Sequence, residues 1–373
     1  MEILLLVVLA GLGACLWYVL RAPRPAPTRR ARPRAPVVPL NTAQDEASVA
    51  GEFASPTLLY DLNLATLRDL SPPERHSIIR TLSSMPLPPR ALHKLMSSTF
   101  MASASARQLT DLLMPEPMLT ARIIGRANSA FYMTSRPIQS LAHALAYLGT
   151  NSVRNLALQF TMEQAFPSDD EELRAYQARL LDAGIVATEL VTLLARPLAV
   201  GEVAVASTHA VLGFLGDFAM PRLMSQKSVI EHWPLGVLER TCNEQMQTGT
   251  NAGVIGQVML EMWRLPPEVA EEIGNVNHLL VAPQEEPATA RARRMALSYA
   301  SCRLAEPIVL GEVANAEELA AWVETAPELH AVQLQLQQVG SSGLHQVLRV
   351  PGVQRGVERL CAGAGAATAA LAV

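Results

Sequence analysis

The chain has 373 residues, enough for one substantial hydrophobic core or for two domains. Half of the residues are hydrophobic and only 5% are aromatic, a mix that favours packed helices over a sheet. The formal charge of −4 includes six Arg between residues 21 and 36, so the remaining chain is acidic, which argues against a duplex-binding domain. Four isolated Cys, none in a CxxC spacing, support neither a zinc site nor a disulfide framework.

The first predicted element is the uncharged apolar segment Ile3–Leu20. As a helix it would span about 27 Å, close to the ~30 Å hydrocarbon core of a bilayer. The positive charges lie after the segment and not before it. This order predicts a retained single transmembrane helix over residues 1–20 in the inner membrane, with the rest of the chain in the cytoplasm. A cleaved signal peptide is one alternative, and a lipoprotein signal is another, because Leu12–Cys15 resembles a bacterial lipobox.

Residues 21–55 are predicted to form a linker. The Arg21–Leu40 part is rich in Pro and Arg and has no helical periodicity. Proline stiffens such a segment and like charges extend it. The arginines are explained if they only set the orientation of the membrane span and lie in a tether. The alternative is that they contact anionic lipid headgroups.

From residue 56 onward, apolar residues recur at helical spacing and no alternating strand pattern of useful length occurs, so the sequence predicts an all-α fold. Residues 361–373 are small and are predicted to fray. The predicted helices are Leu58–Leu70 (closed by Ser71–Pro73), Glu74–Leu82, a helix from Pro88, one after a capping box at Ser105–Gln108, one from Pro117, a stripe from Ile138 to Leu148, Asn151–Phe166, one after a capping box at Ser168–Glu171, Val203–Leu223, Lys227–Arg240, Asn251–Trp263, Pro266–Leu279, Ala288–Ala305, Glu312–Glu324 and Pro327–Gln338.

The densest pattern lies between Asp111 and Gly149. Pro117 suits the first turn of a helix, because its missing N–H would be unpaired there anyway. The polar segment Asn128–Tyr132 then predicts a tight elbow between two helices.

Several spaced motifs in this region together resemble the HDOD domain, the HD-related output domain of bacterial signalling proteins. The motifs are Met85–Pro88, Glu116–Arg122, Ala127–Tyr132, Ile138, Leu148–Gly149 and Trp263–Pro266. The resemblance covers roughly Ser71 to Leu280. It implies an HDOD-like helical domain over residues 56–282, followed by additional helices and an Ala/Gly-rich tail over residues 283–373.

The resemblance also implies where a metal centre would lie, because HD-type phosphohydrolases hold metal ions with His and Asp side chains. The matching positions here read Gly216–Asp217, Asn251–Ala252 and Val276–Asn277, with His278 one residue out of step. Glycine has no side chain to bind an ion, and Asp217 alone supplies too few ligands. We therefore predict no catalytic residue, no metal and no cofactor; a divergent metal-dependent phosphohydrolase acting on nucleotides is the alternative.

Other candidate sites are weaker. The eight His are scattered, and His143 and His209 are predicted to be partly buried structural residues. The Gly249–Gly256 segment lacks a Lys or Arg, so a plain helix cap is predicted there rather than a phosphate site. No P-loop lysine or dinucleotide fingerprint occurs.

The elbow residues Asn128, Ser129, Phe131 and Tyr132 are the candidate site. They either satisfy a helix end and pin the elbow to the core, or they bind a partner. The chain is predicted to be a non-catalytic, membrane-anchored regulatory module whose partners are other signalling proteins and not nucleic acid.

Overall fold

The structure of the chain is a computed structural model. It describes residues 63–85, 91–97, 100, 103–132, 134, 136–281, 289–336 and 343–371. All of these residues belong to one compact unit. The predicted transmembrane helix (1–20) and linker (21–55) lie outside the described residues.

The described residues form helices and contain no strand, which confirms the predicted all-α fold for this part of the chain. Short 3-10 turns lie at Leu67–Asp69, Ala130–Tyr132, Met220–Arg222, Val276–Leu280 and Pro327–Leu329. The α-helices are α1 (Pro72–Leu82), α2 (Ala91–Leu95), α3 (Ala106–Leu113), α4 (Pro117–Ala127), α5 (Leu141–Gln164), α6 (Glu171–Ala195), α7 (Val203–Leu212), α8 (Leu215–Ala219), α9 (Gln226–His232), α10 (Val237–Thr248), α11 (Ala252–Met262), α12 (Pro267–Gly274), α13 (Ala290–Leu310), α14 (Ala316–Thr325), α15 (His330–Leu336), α16 (Leu344–Leu348) and α17 (Pro351–Leu371).

The first helix start differs from the prediction. Ser71 does not close a helix; it is the N-cap of α1, and its backbone N–H donates to the Glu74 carboxylate at 2.9 Å. The proline that follows suits the first helical turn better than a helix end. Within the predicted helix Leu58–Leu70, the described residues form only the turn Leu67–Asp69.

Of the two predicted capping boxes, one is confirmed. The Gln108 N–H donates to Ser105 Oγ at 3.2 Å, and the Ser105 N–H donates to Gln108 Oε1 at 2.8 Å. At α6 the cap is Asp170 rather than Ser168, because its carboxylate accepts from the Leu173 N–H at 2.8 Å. A carboxylate suits the positive end of a helix better than a hydroxyl does.

Three of the runs predicted as single helices are divided at a residue that interrupts helices. Val203–Leu223 forms α7, α8 and the turn Met220–Arg222. Lys227–Arg240 belongs to α9 and α10, and Pro266–Leu279 to α12 and the turn Val276–Leu280. Each division falls at glycine, proline or asparagine, which interrupt a helix without changing the apolar pattern around them.

One described run, Val203–Arg222, is long and apolar enough to resemble a membrane span, but 78% of its most apolar part is buried within the fold. It is also divided between α7 and α8. Its hydrophobicity reflects a central position in the core.

The centre of the fold is the packing of α13 against α6, with α7 in contact with both. α13 lies beyond the region of resemblance, yet every residue from Ala296 to Val309 is buried. The C-terminal helices therefore complete the same hydrophobic core.

The predicted fraying of residues 361–373 is wrong for the first of these residues. Cys361 and Gly363 are buried, and α17 lies against the turn Ala130–Tyr132. A Cβ atom on Gly363 would lie only 2.9 Å from the Phe131 Cα. The small residues of α17 let its backbone approach the turn closely, so this part of the helix is buried. A hydrophobicity pattern does not reveal burial of this kind.

Candidate functional site

The place where the family resemblance would put a metal ligand begins at Gly216, near the start of α8. A Cβ atom on Gly216 would lie 1.7 Å from the carbonyl oxygen of Ala252, at the start of α11. The two backbones are in direct contact, so only glycine fits between them. A histidine at this position would force α8 and α11 apart.

The carboxylate of Asp217, which is 3% exposed, faces the guanidinium of Arg240 in α10. Arg240 Nε lies 3.5 Å from Asp217 Oδ1. Arg240 also donates to Glu306 Oε1 at 2.8 Å and to the backbone carbonyl of Trp233 at 2.9 Å. One guanidinium therefore connects α8, α10, α13 and the end of α9.

Further charged groups surround this pair. Arg303 Nη1 lies 3.1 Å from Glu306 Oε1, one turn along α13. Glu244 Oε2 accepts a hydrogen bond from the Ala252 N–H at 2.8 Å. We call this group the buried ion cluster; its members are Asp217, Arg240, Glu244, Arg303 and Glu306.

Burial is the largest single influence on the pKa of Asp217, Glu244 and Arg240. It raises the pKa of Asp217, although Arg240 and Arg303 oppose it. It also raises the pKa of Glu244, and the charge of Asp217 raises it further. For Arg240, burial alone would lower the pKa, but the Glu306 and Asp217 carboxylates outweigh it and the net pKa is raised. Arg240 is therefore held as a cation.

A cavity of about 10 Å³ lies at the buried ion cluster. Asp217, Arg240 and Glu244 line it together with Asn277. This volume accommodates about one water molecule. It leaves no room for a metal ion together with a substrate.

The other positions that correspond to HD-type metal ligands either have structural roles or do not line the cavity. Asn251 is the N-cap of α11 and accepts a hydrogen bond from the N–H three residues ahead at 3.2 Å. Ala252 and Asn277 reach the same cavity as Asp217, but Val276 and His278 do not line it. His278 is half-buried, and burial lowers its pKa. The predicted helix cap at Gly249–Gly256 is confirmed by this arrangement.

These residues do not fit an HD-type metal centre. Asp217 is already paired with a guanidinium, and the Gly216 position admits no side chain. Within the part of the chain that the structure describes, no three His, Cys, Asp or Glu side chains are arranged to hold an ion. A metal centre needs several convergent ligands.

At the elbow, Asn128 ties the end of α4 to the following segment. Its side-chain nitrogen donates to the carbonyls of Ile124 at 3.0 Å and Ile138 at 2.7 Å. Its side-chain oxygen accepts from the Ile138 N–H at 2.7 Å. Both ends of the amide are used within the chain, as expected of a structural residue.

The aromatic residues of the elbow pack inward. Phe131 is buried, and its ring meets the edge of Tyr132 with centroids 5.0 Å apart. The Arg126 guanidinium lies 5.4 Å from the Phe131 ring centroid and pairs with Asp182 in α6. Ser129 Oγ is buried without a hydrogen-bond partner among the described residues. The elbow is thus pinned to the core by its aromatic rings.

The model of the HDOD domain family matches residues 85–279 of this chain. The chain belongs to the HDOD domain family. The match contains the elbow and every position that corresponds to an HD-type metal ligand, and it ends before α13. No curated protein matches the chain.

Two solved structures share the HDOD fold at low identity. An HDOD domain protein of unknown function from Geobacter sulfurreducens is 16% identical over 75% of this chain and 93% of its own, with a TM-score of 0.52. A protein from Shewanella amazonensis SB2B, described as a candidate phosphohydrolase, is 17% identical over 77% of this chain and 97% of its own, with a TM-score of 0.50. Identity this low shows a shared fold and leaves the chemistry to the site.

The two histidines predicted to be structural differ in this HDOD fold. His209 is buried in α7, with Nδ1 3.1 Å from Glu272 Oε2 of α12. Burial lowers its pKa to about 4, so it is neutral near pH 7. His143 is exposed, contrary to the prediction, because it lies on the face of α5 opposite the buried Leu141 and Ala144.

Sequence reasoning missed Arg240, Glu244, Arg303 and Glu306. A signal was available, because each pair occupies one helix face, at i,i+4 in α10 and at i,i+3 in α13. In α13 the two charges interrupt an otherwise apolar stretch, where an unpaired charge would be costly. The sequence alone does not say that these two faces meet.

Proposed function

We propose that this HDOD protein is a non-catalytic regulatory module that transmits a signal through contacts with other signalling proteins. The observation that carries the proposal is the backbone contact between Gly216 and Ala252, which removes the place of a metal-binding side chain. Arg240 supports it, because its guanidinium already pairs with the remaining carboxylate, Asp217. A protein with this core acts by binding rather than by metal-dependent hydrolysis.

The test uses the purified full-length protein. We expect no stoichiometric Fe, Mn, Zn or Mg, and no hydrolysis of nucleoside phosphates or cyclic dinucleotides. Added metal should leave Tm unchanged, since an ion bound only by the folded state would raise it.

Asp217→Asn is the matched variant, because it removes the charge and keeps the side-chain shape. Hydrolysis that this variant abolishes, with its helical content intact, would contradict the proposal. That result would establish the alternative function, a metal-dependent phosphohydrolase acting on nucleotides.

The proposal includes a membrane anchor. Residues 1–20 would form a single span in the inner membrane, residues 21–55 a linker, and the helical domain would lie in the cytoplasm. The six Arg that follow the span support this orientation by the positive-inside rule. The same arginines would attract anionic lipid headgroups.

Reporter fusions at Ser55 test the topology. We expect a reporter that works in the cytoplasm to be active there. Replacing the six Arg between residues 21 and 36 with Gln should weaken this orientation. Periplasmic activity of the unaltered fusion would contradict the proposed location.

α17 covers Phe131, so a signalling partner would reach the elbow only at its exposed edge, which we call the rim. Tyr147 lies at this rim: it is 50% exposed, and its hydroxyl donates to the Tyr132 carbonyl at 3.4 Å. We therefore propose the rim at Tyr147 and Asn128 as the partner-facing part of the elbow.

Site-specific photo-crosslinking tests the rim. A crosslinker at position 147 should yield a discrete protein adduct in membranes. The same group at Met246, which is 67% exposed in α10, is the matched control and should not. Equal adducts from both positions would show that the rim is not the binding surface.

A further inference from the structure

Arg240 is the residue through which four segments of the core meet. Its guanidinium pairs with Asp217 in α8 and Glu306 in α13, and it donates to the Trp233 carbonyl at the end of α9. The side chain starts from α10 and is 4% exposed. Bridging of carboxylates from different helices is the role that a bound cation fills in many proteins.

The two carboxylates that Arg240 contacts, Asp217 and Glu306, are both buried, and a buried carboxylate is stabilised by a cation beside it. Three carboxylates, of Asp217, Glu244 and Glu306, are buried together with the guanidinium groups of Arg240 and Arg303. Arg303 forms an ion pair with Glu306, while Asp217 forms its ion pair with Arg240. Removing one partner of a buried pair leaves an uncompensated charge, which strongly destabilises the folded state.

We propose that Arg240 is the resident cation of this core, built into the chain where an exchangeable ion would otherwise bridge the carboxylates. Its Nε faces Asp217 and its Nη2 donates to Glu306, so two nitrogen atoms of one planar group meet the two carboxylates, an arrangement that suits guanidinium better than ammonium. Truncation of the side chain leaves an internal site that faces both carboxylates and takes a free guanidinium ion. This inference concerns the core of the chain and is independent of which partner the protein serves.

The test is chemical rescue of Arg240→Ala in the full-length chain. This variant should melt at a lower temperature than the wild type. Guanidinium chloride at low millimolar concentration should raise its Tm, by about 2 °C for each tenfold increase above the dissociation constant. The Tm of the wild type should not rise.

Two outcomes would overturn the proposal. One is a folded Arg240→Ala variant whose Tm no guanidinium concentration raises. The other is a wild-type protein whose Tm rises with MnCl2 or MgCl2, because a metal ion would then be the resident cation.

Arg154→Ala is the matched control. Arg154 is 1% exposed, and its guanidinium donates to neutral oxygens, the Ala204 carbonyl at 2.9 Å and the Thr208 hydroxyl at 3.0 Å. Truncation leaves a cavity without these facing carboxylates, so guanidinium should not raise the Tm of this variant. Equal rescue of both variants would show that the effect does not depend on Asp217 and Glu306.

A double-mutant cycle keeps the proposal testable if Arg240→Ala does not fold. Arg240→Lys retains one positive charge and loses the fork. The Tm loss caused by Asp217→Asn should be smaller in the Arg240→Lys background than in the wild type. Additive losses would overturn the proposed bridge.

Discussion

At the scale of single residues, two helical glycines test the packing at the candidate site, because one is tightly enclosed and the other faces open space. A Cβ atom on Gly216 would meet the Ala252 backbone at 1.7 Å, whereas one on Gly125 in α4 would meet no atom within 4 Å. Alanine is preferred to glycine in an open helix, because it restricts the unfolded chain more.

Gly216→Ala is therefore expected to destabilise the protein by more than about 3 kcal/mol, because two helix backbones must separate. Gly125→Ala should be neutral or stabilise by up to about 1 kcal/mol. Urea unfolding midpoints measure both. Equal midpoints for the two variants would contradict the contact between α8 and α11.

His209 predicts a pH dependence of stability. Its pKa is about 4 in the folded protein against 6.5 ordinarily, chiefly because of burial. Between these values the unfolded state binds a proton that the folded state does not, so stability falls as the pH decreases from 6.5 to 4. The contribution of this one group is about 3 kcal/mol at most.

His209→Gln should flatten this part of the stability profile, measured as the free energy of unfolding in urea at several pH values. His76→Gln changes an exposed histidine and is the control. If both variants keep the wild-type slope, His209 is not the group that titrates.

At the scale of elements, the contact of α17 with the elbow depends on one glycine. A Cβ atom on Gly363 would lie 2.9 Å from the Phe131 Cα, and one on Gly352, in the same helix, would meet nothing within 4 Å. Gly363→Ala should destabilise the protein by about 1–3 kcal/mol and make Phe131 more accessible. Gly352→Ala should not destabilise it.

Amide hydrogen exchange of residues 130–132 reports the contact directly. Exchange should accelerate in Gly363→Ala and remain slow in Gly352→Ala. Unchanged exchange in both variants would mean that α17 does not protect the elbow.

At the scale of the whole molecule, the family region and the folded unit differ in extent. The HDOD match ends at residue 279, but α13 packs along α6 beyond that point. A chain ending at residue 281 would expose the apolar face of α6 and lack Glu306, a member of the buried ion cluster.

We therefore expect the chain that ends at residue 281 to lose cooperative thermal unfolding, measured by circular dichroism. A chain that starts near Ser55 and continues to the C-terminus should be soluble, helical and cooperative, because the described helices all lie beyond that point. Cooperative unfolding of the shorter chain would show that α13 is dispensable.

The sequence by itself determined the all-α class and the elbow, and its short motifs indicated the family. These follow from local signals, namely helical periodicity, caps and short motifs, which operate within a few residues of the chain. The predicted ends of several helices were wrong because local signals do not settle them. At Ser71 and Ser168 more than one local cap was available, and the surrounding contacts selected among them.

Only the tertiary structure decided that Arg240 lies between Asp217 and Glu306 and that α17 covers Phe131. These contacts join residues far apart in the chain, and their partners are set by how helices pack, which helical periodicity does not encode. The exclusion of every other residue at Gly216 was likewise invisible in the sequence. It depends on the distance between two helix backbones, and that distance is fixed by the whole core.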